Sequence, residues 1–206
     1  MLPRLIAHAR EQGLLTILDA KRGDIGISSE HYAHAAGESD AVTVNGYLGM
    51  GALAPFLDRG LGVFVLVRTS NPDGDAFQTA QLAAGGRVCD LMAQMVAEAG
   101  GLRLGTSGLS SVGAVVGLTK ASEGQQLREA MPDQVFLVPG LGAQGGSARD
   151  LVVLHRPAAS DLTTAGVLAT ASRSIIYPDS DGPWQEAIGD AARRNADQVA
   201  DALSVS

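Results

Sequence analysis

The segment Leu-Asp-Ala-Lys-Arg-Gly-Asp-Ile-Gly holds the densest chemistry in this 206-residue chain. Asp19 and Lys21 are two residues apart, so on a strand their side chains point to the same side. Asp24 follows in the loop. The apolar residues Leu14, Leu15, Ile17 and Leu18 predict a buried strand that delivers the cluster. Charges at the end of an apolar strand cost free energy unless they are paired. An ammonium held beside carboxylates stays charged, because negative neighbours favour the protonated form. It can stabilise a carbanion forming nearby and then protonate that carbon. A structural ion-pair network on a loop is the alternative. In a barrel, charged groups at the carboxyl ends of strands usually serve the site.

A second group of residues suits an anion. Residues 139–146 read Pro-Gly-Leu-Gly-Ala-Gln-Gly-Gly, and glycines let backbone N–H groups come close to a phosphate. Residues 171–174 read Ala-Ser-Arg-Ser. The planar fork of Arg173 can grip a phosphate with two parallel hydrogen bonds, and a solvent-facing arginine is the plain alternative. Residues 140–145 also satisfy G-x-G-x-x-G, and Asp161 lies about 20 residues on, as a dinucleotide site requires. That motif normally opens a βαβ unit at the start of a domain. Here only one strand follows, so the match is discounted.

Other candidates lack a constellation. His31 and His34 are three apart on a predicted helix without a third ligand, and read as surface residues. His8 and His155 have no chemical context. Ser107 and Ser110 lack a paired His/Asp pattern, so a hydrolase triad is unsupported. Asn71, Pro72, Asp73 and Gly74 form a turn sequence. Arg68 falls near the same strand end without an assigned role.

The elements that must position these groups alternate. Apolar runs predict strands over residues 14–20, 41–45, 62–67, 112–118, 135–138 and 167–169, each ending in a polar or glycine-containing loop. Helical periodicity lies between them. It is clearest over 87–99, where Val88, Leu91, Met92, Met95 and Val96 make one stripe. A helix over 2–12 precedes the first strand, and a last helix runs from about 184 to 203. Repeated βα units with continuous apolar strands imply a parallel sheet covered by helices. Both an eight-stranded barrel and an open doubly wound sheet fit.

Composition bounds the rest. With 46% hydrophobic and 18% charged residues, the chain reads as one folded domain over residues 1–206. A net charge of −7 argues against a nucleic-acid partner. The single cysteine, Cys89, rules out an intrachain disulfide and reads as core packing, and a cytoplasmic setting is the simple expectation. No apolar run reaches the ~20 residues of a bilayer span, so no membrane partner is expected. The opening residues do not read as a signal peptide.

Asp19-x-Lys21-x-x-Asp24 resembles the signature of orotidine 5'-phosphate decarboxylases and their barrel relatives. The fuller string Asp-Ala-Lys-Arg-Gly-Asp-Ile-Gly is similar to the bacterial type 2 branch. So are Ala-Val-Thr-Val-Asn-Gly-Tyr-Leu-Gly, Val-Phe-Val-Leu-Val-Arg-Thr-Ser-Asn-Pro and Val-Pro-Gly-Leu-Gly-Ala-Gln-Gly-Gly. The motifs run in the family order from about Leu14 to the last helix. Gly46 stands where the type 2 pattern often has proline.

The resemblance implies a (β/α)8 TIM-type barrel, of which about six βα units are present and the first two are not. It implies decarboxylation of orotidine 5'-monophosphate to uridine 5'-monophosphate, with no cofactor and no metal. Lys21 would be the proton donor, with Asp19 beside it. Asp24 would reach into the partner's site of a homodimer. Ser28 would lie on the ribose side, Ser70 would contact the pyrimidine, Gln144 would bridge base and phosphate, and Arg173 would bind phosphate. An aspartate and a lysine that the family carries on its first two strands have no counterpart here. The same signature also occurs in sugar-phosphate decarboxylases and aldolases, which generally use magnesium. An inactive phosphate-binding remnant is a further alternative.

Overall fold

A computed structural model describes residues 1–141, 146–179 and 182–204, without the side chain of residue 119. It contains six strands: β1 (Ile17–Arg22), β2 (Ala41–Val44), β3 (Gly62–Arg68), β4 (Ser110–Val116), β5 (Gln134–Pro139) and β6 (Val167–Thr170). They form one sheet in the order β1-β2-β3-β4-β5-β6, and every pairing is parallel. This order decides between the two architectures that the alternation allowed. A doubly wound sheet reverses its strand order at a switch point. Here each strand lies beside its predecessor throughout, as in the wall of a β/α barrel. β1 and β6 are the two edges of this wall.

The helices are α1 (Leu2–Glu11), α2 (Gly26–Ala36), α3 (Ala54–Leu57), α4 (Asp75–Gln78), α5 (Val88–Gly101), α6 (Gly124–Ala130), α7 (Arg173–Ile176) and α8 (Trp184–Ser204). The outer face of the sheet, with Val42, Val65, Ala114 and Phe136, packs under them against Ala33, Leu53, Ala93 and Val96. The inner face carries a smaller apolar layer of Ala41, Phe64, Val115 and Leu137. Burial on both faces explains why the strands read as unbroken apolar runs.

Two expectations need correction. The first strand starts at Ile17, not at residue 14, and Leu14 and Leu15 are 61% and 85% exposed. The Asp40 carboxylate captures the Thr16 N–H at 2.7 Å and the Thr16 hydroxyl at 2.9 Å, so sheet pairing begins only after this anchor. The predicted stripe of α5 is also rotated. Its buried residues are Cys89, Ala93, Val96 and Gly100, while Leu91 is exposed. Small residues face the sheet because the approach is close. A Cβ on Gly100 would lie 2.8 Å from Ser110 Oγ.

The amino-terminal ends of β5 and β6 are tied by Arg128 of α6, which is buried. Its guanidinium donates to the carbonyls of Leu154 (2.9 Å), Met131 (2.8 Å), Gln134 (2.8 Å) and Gly166 (2.9 Å), and stacks 3.6 Å from the centre of the Phe136 ring. Burial, with the nearby Arg156 charge, lowers its pKa to about 9, which still leaves it charged at neutral pH. Arg128→Met removes these donors from four buried carbonyls, of which Gly166 keeps the Phe136 N–H as a partner. We expect it to lower stability by about 3–5 kcal/mol in urea denaturation.

Candidate active site

The parallel register puts the carboxyl ends of all six strands on one rim, and the charged segment at the end of β1 is built into that rim. The β1–β2 register shifts between Leu18 and Arg22, a bulge that re-aims side chains. Within it Lys21 has φ +47°, and among the described residues it is the sole non-glycine with positive φ. This left-handed backbone costs free energy for any residue with a Cβ. Thr43 of β2 holds it in place. Its hydroxyl accepts the Lys21 backbone N–H at 2.9 Å and donates to Asp19 Oδ1 at 2.8 Å. The Lys21 Nζ then lies 2.6 Å and 2.7 Å from the two Asp19 oxygens.

Partial burial alone would raise the Asp19 pKa. Hydrogen bonds from Lys21 and Thr43, and the Lys21 charge, outweigh it and hold the carboxyl below the ordinary aspartate range. The pair is therefore intact at neutral and mildly acidic pH, and is lost only as pH falls through that lowered pKa. Asp19 and Lys21 remain about half exposed, at 63% and 53% of the side chain, so the attraction is screened and adds little to stability.

The pair faces an open cleft of about 670 Å³ on the inner face of the sheet, within the size range of small-molecule sites. Leu66, Val115 and Leu137 line its apolar part, and Thr69, Ser70, Thr170 and Ser172 its polar part. Of the residues singled out from the sequence, the cleft brings together Asp19, Lys21 and Ser70. Asp24 is not on its wall, and one carboxylate oxygen accepts the Ile25 N–H at 2.9 Å. Ser28 is exposed on α2, away from the cleft. Arg173 is the exposed first residue of α7, directly after Ser172. Gln144 lies outside the described residues. His31 and His34 are exposed on α2.

Sequence reasoning missed two features. One is Thr43, whose signal was a single hydroxyl in the apolar strand Ala-Val-Thr-Val. The other is an ion-pair network around Arg68, whose side chain is only 2% exposed. Arg68 pairs with Asp75 at 2.7 Å and with Glu123 at 2.9 Å. Lys120 joins Asp75, while Arg87 joins Glu123 and Asp90. Burial alone would lower the Arg68 pKa, but Glu123 and Asp75 reverse the shift and keep the guanidinium charged. The network ties the loop after β3 to the loop after β4.

Comparison with known proteins places this geometry. The profile of the "Orotidine 5'-phosphate decarboxylase / HUMPS family" matches residues 3–182. The chain belongs to this family. An orotidine 5'-phosphate decarboxylase of Halorubrum lacusprofundi is 41% identical over 201 residues, covering 94% of this chain and 70% of its own length. One from Rhodopirellula baltica is 39% identical over 211 residues, covering 91% and 68%. The solved OMP decarboxylase of Leishmania donovani superposes with a TM-score of 0.78 at 26% identity, covering 100% of this chain and 74% of that one. The sequential parallel wall is thus the family's barrel fold with six strands present.

The strained Lys21 gives a direct test of how this family member builds its charged rim. Lys21→Ala and Lys21→Gly both remove the ammonium, but only glycine relieves the left-handed backbone. We expect the glycine variant to be the more stable by about 1 kcal/mol in urea denaturation. Equal stabilities would show that the φ of Lys21 carries no strain beyond the backbone entropy that glycine loses on folding, roughly 0.5–1 kcal/mol.

Proposed function

We propose that the chain decarboxylates orotidine 5'-monophosphate to uridine 5'-monophosphate and CO₂ in pyrimidine synthesis, and that Lys21 is its proton donor. The carrying observation is the Lys21 ammonium held by Asp19 at the wall of the cleft, with Thr43 binding both the Lys21 backbone N–H and the Asp19 carboxylate. The names of relatives near 40% identity support the choice of substrate. The C6–carboxylate bond breaks, its electron pair stays on C6, and CO₂ leaves. The ammonium stabilises that carbanion and then transfers a proton to it. Asp19 orients the ammonium, and its negative charge disfavours a substrate carboxylate placed beside it. Ser70 faces the pyrimidine, Gln144 bridges base and phosphate, and Arg173 serves the phosphate. Ser28 lies on the ribose side. The reaction as written needs neither cofactor nor metal.

Assembly is part of the proposal. Asp24 lies off its own cleft, and the exposed apolar residues Ile25, Ile27, Tyr47 and Phe77 include its immediate neighbour in sequence, Ile25. An isologous homodimer would cover such side chains and bring each Asp24 to the partner's site. No helix among the described residues is long and apolar enough to cross a membrane. We place the protein in the cytoplasm.

The assay follows loss of pyrimidine absorbance. It uses the 206-residue chain, both alone and preceded by the two βα units that the family pattern places ahead of β1. Turnover should survive a chelator, and Lys21→Ala should lower it by about 10⁴-fold or more while uridine monophosphate still binds. No turnover in either form overturns the assignment, and loss of activity to a chelator favours the sugar-phosphate enzymes.

A second experiment tests the shared site. Asp24→Asn and Lys21→Ala chains are mixed under conditions that exchange subunits. One site of each heterodimer then carries both an intact lysine and an intact aspartate, so activity above that of either parent is expected. Mixed dimers without such a gain place the action of Asp24 within its own chain.

A further inference from the structure

We infer that Gln78 is a positioning residue for this reaction: by clasping Thr69, it holds the Ser70 loop at the distance from which Ser70 meets the pyrimidine. The inference rests on the role proposed above for Ser70. Gln78 closes α4 and is partly buried. Its Oε1 accepts the Thr69 backbone N–H at 2.9 Å and an Arg68 N–H at 3.3 Å, and its Nε2 donates to the Thr69 hydroxyl at 2.7 Å. That hydroxyl donates in turn to Asn71 Oδ1 at 2.7 Å. One amide therefore fixes both the backbone and the side chain of the residue before Ser70, and through Asn71 the residue after it.

The other side of the loop is fixed by Gly117, just past β4. Its N–H donates to the Arg68 carbonyl at 2.7 Å. A Cβ at position 117 would lie 2.7 Å from Ser70 N, 2.8 Å from its Cα and 2.9 Å from its Cβ. Ser70 thus sits in a slot, with the missing side chain of Gly117 on one side and the Gln78 clasp behind it. The anchor of the clasp is rigid, because Arg68 is buried and bound to both Asp75 and Glu123.

The chemistry of position 78 is specific. The adjoining network holds three cations, Arg68, Arg87 and Lys120, and three carboxylates, Asp75, Asp90 and Glu123. These charges balance. A carboxylate at position 78 would add an uncompensated negative charge and remove the donor to Thr69. An amide supplies an acceptor and a donor without charge.

The test compares a ligand with a base against one without. Calorimetry measures binding of uridine 5'-monophosphate and of ribose 5-phosphate to the parent chain and to Gln78→Met, Gln78→Glu, Gly117→Ala and Ser70→Ala. Gln78→Met should weaken the nucleotide by about tenfold, the worth of one good hydrogen bond, and the sugar phosphate by less than about twofold. Gln78→Glu and Gly117→Ala should show the same base-selective loss, which covers the case in which the methionine variant does not fold. In a Ser70→Ala background, Gln78→Met should add no further nucleotide-selective loss, because the two act through one contact. Equal losses for both ligands, no loss, or full additivity with Ser70→Ala overturns the inference. If Ser70→Ala itself leaves the preference for the nucleotide unchanged, the role of Ser70 is wrong. If Ser70→Ala removes that preference and Gln78→Met does not, the fault lies with Gln78. Failure of the parent chain to bind the nucleotide, both alone and preceded by the two βα units, overturns the underlying functional reading.

Discussion

Parallel pairing in unbroken chain order is the constraint on which this structure depends. It sends every strand's carboxyl end to the same rim, so polar residues far apart in the chain arrive at one cleft. Lys21 comes from β1, Thr43 from β2, Ser70 from the loop after β3, and Ser172 from the loop after β6. The strands between carry an apolar layer on each face, so charge gathers at the strand ends. A single sheet thus separates stability, in its two apolar layers, from chemistry, at its rim.

That separation makes each charge at the rim a problem of pairing, and the rim solves it in two ways. Arg68 is buried and divided between Asp75 and Glu123, with a further N–H shared with Gln78. Its donors are committed within the protein, so it reads as scaffold and not as an anion-binding group. Lys21 is half exposed and shares its charge with one carboxylate. An ammonium has three N–H donors, and the two Asp19 oxygens engage no more than two. The remaining donor is available to the cleft. The Thr43 hydroxyl makes this geometry repeatable, because it binds both the strained Lys21 backbone and the Asp19 side chain.

The same division explains what was legible in the sequence. Asp19 and Lys21 could be read because two-residue spacing on a strand fixes a shared face, and the structure joins them. Strand count and order of appearance could be read because apolar runs bounded by polar loops are local signals. Strand order in space could not, since β/α repeats serve barrels and doubly wound sheets alike until the pairings are seen. The start of β1 was misread because Leu14 and Leu15 look like strand residues, while the anchor that delays the ladder, Asp40, is 24 residues from Thr16. The α5 stripe was misread because hydrophobicity favoured Leu91, while close approach to the sheet selected Ala93 and Gly100. Arg68 had no readable role because its partners Asp75, Gln78 and Glu123 lie 7, 10 and 55 residues along the chain.

Two buried arginines show how one residue type takes opposite duties at the two ends of the barrel wall. Arg128 sits at the amino-terminal ends of β5 and β6 and binds neutral carbonyls. Burial therefore lowers its pKa, and the face of Phe136 receives part of its charge. Arg68 sits at a carboxyl end and binds carboxylates, so burial is outweighed and its pKa rises. A cation bound to carbonyls ties backbone to backbone and serves the fixed end of the barrel. A cation bound to carboxylates on two loops ties side chains of one loop to those of the next. Such a tie holds loops in register while leaving the backbone between the anchors free to follow its own turns. Strand ends that carry chemistry need the second kind of tie, because their loops must differ from one another and still meet at one cleft.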